Sequence, residues 1–406
     1  MLDHPSSLGK WLRRYSLPLI AALGSATGLA YAATRYGDAP LASSSVSVVA
    51  PPSEPALDPI QDTVQIAILL DTSGSMDGLI HQARSHLWNM VDEMGKMTRV
   101  VNGKTRGVRV ELALYEYGHS TLPQEDGFIR QVLPLSTDLD RVSEELHQLV
   151  TNGGDEYVGQ AIATAVKSLQ WSADPSALKF VFVAGNEEFD QGPITAAAAM
   201  AAAKDKDIHV QLIHCGPSDS TWQAAASLAH SDLLTIDQDQ VAQHIPAPQD
   251  AEILRLGTEL NGTYMAYGPA GAAAQARQAN ADASSAKLSP KVAIERAQLK
   301  RKGSYRNENW DVVDAVNRDG DFLAKTADDK LPTELRGKSL EEKQAVVAAK
   351  TAARDATKAK LAKLEADRAK FLAAEHAKNA APEQRLLSTE MMKSAKKVAG
   401  KKGYKF

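Results

Sequence analysis

From Gln65 onward, short apolar runs alternate with longer stretches in which apolar residues recur every three or four positions. QIAILL (65–70) leads into a helical period from Ile80 to Met94. RVELALYEY (109–117) and FIRQVL (128–133) follow closely, with a Gly- and Pro-bearing turn between them, the pattern of a hairpin. DRVSEELHQLV (140–150), entered through Thr137 and Asp138 as candidate caps, and YVGQAIATAVKSL (157–169) are helical in period. LKFVFVA (178–184), IHVQLI (208–213) and LLTI (233–236) read as strands, separated by helices from Ile194 to Lys204 and from Trp222 to Ala229. Strands apolar on both faces that alternate with helices predict an α/β fold, a doubly wound, mostly parallel sheet flanked by helices.

The segments on either side have different patterns. Lys10, Arg13 and Arg14 precede the apolar stretch Leu17–Tyr31, and Ala30-Tyr31-Ala32 offers small residues before a cut, so residues 1–32 read as a signal peptide cleaved after Ala32. The alternative is an uncleaved anchor, but fifteen residues that include Pro18, Gly24 and Gly28 fall short of the roughly 20 needed to span a bilayer. The expected location is therefore the periplasm or cell envelope. Residues 33–60, rich in Ser and Pro, read as a tether, and 61–270 as the globular domain. Beyond it, 271–338 reads as a linker with a docking segment, where Trp310, Val313 and Val316 share a helical face. Residues 339–380, free of glycine and proline, predict one long helix, and Leu361, Leu364 and Phe371 give it a brief coiled-coil spacing.

Charge divides the same regions. Residues 61–270 hold 28 Asp+Glu against 13 Lys+Arg, and 271–406 hold 18 against 29, an asymmetry hidden in the net charge of −4. The end of the chain, 381–406, reads as a solvated basic tail: Lys393, Lys396, Lys397, Lys401, Lys402 and Lys405 follow one another with no acid after Glu390. Such a tail is drawn to polyanions; for an exported chain these are anionic envelope surfaces, and nucleic acid is not expected. The only cysteine, Cys215, lies in a strand run, so no internal disulfide forms.

The candidate chemistry sits in ILLDTSGSMDG (68–78), where the first strand ends in a cluster of oxygen donors. In open α/β sheets, ligands bind at the carboxyl ends of the strands. Asp71, Ser73 and Ser75 alternate along a turn that Gly74 allows to be tight, and one carboxylate with two hydroxyls suits a hard cation, Mg²⁺ first, with Mn²⁺ or Ca²⁺ as substitutes. The competing reading is a simple cap of the following helix.

DTSGSM after VQIAILL resembles the metal-ion-dependent adhesion site of von Willebrand factor A domains, over roughly residues 61–245. That resemblance implies a doubly wound domain whose cation uses an open coordination position to grip an acidic side chain of a protein partner. Two loops depart from the family pattern. A threonine after a glycine pair is replaced in NGGDEY by Asp155 and Glu156, and an aspartate after the fourth strand by Asn186, followed by Glu187. Asp155 is the expected fourth side-chain contributor, with Asn186 completing the set and Glu156 and Glu187 as alternatives.

Catalytic patterns are missing from the sequence. The ten histidines form no HExxH, Ser73 has no GxSxG context, and no phosphate-cradling GxxxxGK[ST] occurs. The expectation is a non-enzymatic, extracytoplasmic, metal-dependent protein-binding module. The alternative is a structural envelope component whose metal staples loops and whose basic tail holds to an anionic surface.

Overall fold

The computed structural model describes residues 58–240, 244–378 and 386–406, and for 58–60 the backbone alone. The signal peptide, most of the tether and the first residues of the basic tail (381–385) lie outside the described residues.

A seven-stranded sheet organises the chain. β1 (Asp58–Asp71), β3 (Lys104–Tyr117), β5 (Leu178–Gly185), β6 (His209–Cys215) and β7 (Leu234–Ile236) run parallel in the order β3-β1-β5-β6-β7. Two antiparallel partners cover the outer edge of β3: β4 (Ile129–Ser136) along its second half and β2 (Arg99–Val101) at its start. The hairpin to β4 is the one expected. β2 was not foreseen, although Asn102-Gly103, both at positive φ, is a two-residue turn of the type that joins twisted strands.

The alternation along β1 divides the interior. Val64, Ile66, Ile68 and Leu70 face α1 (Asp77–Gly95) and α2 (Leu139–Gln148). Ala67 and Leu69 face α3 (Val158–Ser168), α4 (Ala196–Asp205) and α5 (Ser220–Leu228). All six β1 side chains are buried, which is why this strand is apolar without alternation.

The remaining helices build outward from the α1 face. α6 (Asp250–Asn261), α7 (Gly271–Leu288) and α8 (Pro290–Lys300) pack on one another and on α1 and α2. Their contact with the domain is partly ionic: Arg296, 1% exposed, pairs with Asp140 of α2 at 2.7 Å and Asp282 at 2.8 Å and lies 4.5 Å over the Trp88 ring. Trp310, 3% exposed, stacks on Tyr264 and joins the same apolar cluster as the sheet. It precedes α9 (Val312–Arg318); Val313 turns instead into a second cluster with Leu331, Leu335 and Val347. After the short α10 (Phe322–Lys325) comes the long helix, α11 (Leu340–Lys378). Val347, Arg354 and Leu361, seven residues apart and all buried, place one stripe of α11 against this chain, chiefly against α6. No helix among the described residues is long and apolar enough to cross a membrane.

The basic tail differs from expectation. Leu387–Lys401 is a helix, α12, and Leu387, Met391, Met392, Ala395 and Ala399 are buried against α1 and strands β5 to β7. Tyr404 donates to Ser176 O, and Thr98 and Lys405 exchange backbone hydrogen bonds. Lysines share this helix with an apolar stripe at helical spacing, and it is the stripe that is buried, while Lys393, Lys396, Lys397 and Lys402 pair with acids at the surface.

Candidate metal centre

Asp71 is the last residue of β1, and burial on both faces of the sheet leaves its carboxylate fully enclosed at the strand's carboxyl end. The turn after it is held by main-chain bonds: Thr72 N and Oγ1 both donate to Tyr117 O, and Ser73 N donates to Asp71 Oδ1 at 2.7 Å. The helix-cap reading fails here, because α1 starts after Met76 with no side-chain cap.

Two more loops are tied to this turn. Asn152 N donates to Thr72 O at 2.9 Å and brings in the 149–157 loop. The loop after β5 is pinned from behind, where Trp222 Nε1 donates to Glu187 O at 2.6 Å and His214 Nε2 lies 3.2 Å from Asn186 O. Asn186 Nδ2 then donates to Ser75 Oγ at 3.0 Å across the crevice.

Of the expected residues, Asp71, Ser73, Ser75 and Asn186 come together. Asp155 does not: it is exposed, and its neighbour Glu156, 4% exposed, is the acid that turns in beside Asp71. In NGGDEY either carboxylate could have turned inward, and Glu156 is selected by its main chain, whose N–H donates to Gln191 Oε1 at 3.1 Å. Gly118 lies at the same point. With φ +79°, it has space only for hydrogen, since a Cβ there would stand 2.8 Å from Glu156 Cγ and 3.0 Å from Asp71 Oδ1. Gly185 does the same on the opposite side, where a Cβ would meet the Tyr117 hydroxyl. The sequence marked neither glycine.

The crevice gathers oxygens without partners. Asp71 Oδ2, Ser73 Oγ, Glu156 Oε2 and Asn186 Oδ1 are buried without a well-formed hydrogen bond among the described residues, and Glu156 lies close enough to Asp71 that a proton on it would be shared between the two. Four such atoms in one place are costly unless something satisfies them. The electrostatics agree. Burial and then the nearby Asp71 charge push the Glu156 carboxyl up to about 9, and burial also raises that of Asp71. Two buried carboxylates, a hydroxyl and an amide oxygen fit a hard divalent cation. Among the described residues no trio of His, Cys, Asp or Glu is placed to hold a metal ion, so a centre here depends on the hydroxyl and amide oxygens as well.

Residues 65–242 match the family model of the von Willebrand factor type A domain. No curated protein matches the chain. Among solved structures, it is similar to proximal thread matrix protein 1 from the mussel byssus with a zinc occupied MIDAS motif, at 12% identity over 46% of this chain and 44% of that one, TM-score 0.34. It is also similar to the SpRpn10 VWA domain, at 16% identity over 44% of this chain and 88% of that one, TM-score 0.31. A third is a von Willebrand factor type A structure from Catenulispora acidiphila, at 17% identity over 43% and 39%, TM-score 0.33. The chain spans less than half the length of the mussel protein. With the sheet order, the crevice at the strand ends and the family-model match together, residues 65–242 are a von Willebrand factor type A domain.

Proposed function

We propose that this domain is a divalent-cation-dependent protein-binding module of an exported chain, with Asp71, Ser73, Glu156 and Asn186 holding the cation and Ser75 at its exposed side. The observation that carries the reading is the set of four buried, unpartnered oxygens at the carboxyl end of β1. Mg²⁺ is the first choice for such donors, and Mn²⁺ or Ca²⁺ would serve. When bound, the cation would offer a coordination position to an oxygen of the partner. Asp71 and Glu156 would already balance its two charges, so its pull on an acidic partner side chain is weaker than at a centre with one anionic ligand, and neutral oxygens compete better.

The same charge balance favours a second reading, in which the cation staples the three loops and the chain is a structural envelope component. A pull-down from envelope extract with and without chelator separates the two, because only the binding module loses its partner on chelation. The metal itself is tested by calorimetry. Wild type should bind Mg²⁺ and gain stability by mass action, about 2.7 kcal/mol at a hundredfold excess over Kd. Asp71→Ala should abolish both effects. Absence of divalent-cation binding to wild type would overturn the proposal.

A further inference from the structure

The loops at the carboxyl ends of the strands carry charge of one sign. Residues 71–77, 118–128, 149–157, 186–195, 216–219 and 237–240 together hold twelve Asp and Glu and no Lys or Arg. Asp71 and Glu156 lie at the centre, with buried oxygens unpartnered. A divalent cation there would balance those two and leave ten acids around it, among them the exposed Glu187, Glu188 and Asp190 on one projecting loop. A surface of this kind repels acidic partners and draws basic ones.

The opposite end of the sheet carries such a basic surface. A groove of about 320 Å³ opens where β5 and β6 begin, with Lys179, Lys204, Lys401 and Lys402 around Leu178 and Val398. Lys402 is paired with Asp207 at 2.7 Å, whereas Lys204 and Lys401 make no side-chain hydrogen bond or ion pair among the described residues. Burial, then Lys401 and Lys397, press His209 in this groove down to about 4. Asp207 is the one acid that lines the groove, against four lysines. From Lys179 to Gly185 the strand β5 spans six steps, about 20 Å, which separates the groove from the acidic loops within one molecule.

We infer that copies of this chain associate head to tail, the acidic loops around the metal crevice of one copy seated on the lysine groove of the next. The inference goes beyond the metal reading and holds with or without a cation, since at least ten acids remain unbalanced in either case. An acidic face at one end and a basic groove at the other make a heterologous contact, in which each copy keeps one free end and addition continues.

Sedimentation velocity of the full chain tests this. At about 0.01 M ionic strength, where charges act over roughly 30 Å, wild type should form concentration-dependent species larger than a dimer; at about 1 M, where the reach is roughly 3 Å, it should be monomeric. The double variant K204E/K401E and the double variant E187K/E188K alter exposed side chains only and should each remain monomeric at low salt. Mixed together, they restore both contacts, the unchanged loops on the unchanged groove and the reversed loops on the reversed groove, and should associate again at low salt as alternating copies. The groove variant should also keep the Mg²⁺ binding of wild type, so that its monomeric state is independent of the metal centre. A wild type that stays monomeric at low salt, association that survives both reversals, or no association in the mixture would each overturn the inference.

Discussion

Replacing Glu156 by glutamine keeps the side chain's size and removes one of the two acids buried at the crevice. The Glu156 carboxyl, ordinarily near 4.5, is pushed up to about 9 by burial and by Asp71. Between those values the folded, cation-free chain holds a proton that the unfolded chain has lost. Stability therefore falls as pH rises, by about 1.4 kcal/mol per pH unit. The full stability is present below about pH 4.5 and is lost progressively up to about pH 9. From 4.5 to pH 7 the loss amounts to about 3.4 kcal/mol. This is an upper bound, because the exposed Gly153–Asp155 stretch admits water close to the carboxyl. Glu156→Gln should accordingly stabilise the cation-free protein at pH 7 by about 1 to 3 kcal/mol and flatten its pH profile. Urea unfolding in chelator, followed by the fluorescence of buried Trp88 and Trp222, measures this. With saturating Mg²⁺ the order should reverse, wild type gaining more than the variant because the cation takes the place of the proton. Parallel profiles for the two chelated proteins from about pH 5 to pH 8 would refute the claim that Glu156 faces Asp71 without a cation of its own.

Other residues give further tests. Asp155→Ala should leave Mg²⁺ affinity unchanged in calorimetry, because that side chain is exposed. Gly118→Ala places a Cβ against Asp71 and Glu156 at positive φ; it should cost more than about 1 kcal/mol in urea unfolding and abolish Mg²⁺ binding. Arg354, 2% exposed, pairs with Asp311 at 2.7 Å and Asp314 at 2.8 Å and lies 4.1 Å over the Tyr264 ring. Arg354→Ala would strand the fully buried Asp311, and a loss of about 3–5 kcal/mol with earlier proteolysis of α11 is expected. A chain stopped after residue 386 lacks α12 and should bind apolar dyes strongly, since Met90, Ile68 and Leu87 line its seat on the domain.

The sheet was legible because its strands are buried on both faces and read as unbroken apolar runs between helical periods. Asp71, Ser73 and Ser75 were legible because their spacing follows such a run directly. The choice between Asp155 and Glu156 was not, because a loop has no periodicity to decide which of two adjacent acids turns inward; the main chain of Glu156 is held by Gln191, 35 residues away. The packing of α12 was hidden for another reason. Its lysines and its apolar stripe occupy the same fifteen residues, and composition reports only the former.

The position of α12 has a consequence for the order of events during synthesis. Leu387 N donates to Gln82 Oε1, a bond between residues 305 positions apart. At roughly 5–20 residues per second, a ribosome needs about 15 to 60 s to make the chain between them. Through that interval the face of α1 that α12 covers has no partner helix, and the face of β5 to β7 joins it uncovered as those strands are made. If the chain is exported through a channel that takes unfolded substrates, the delay favours passage, because the domain is not closed before α12 has been made.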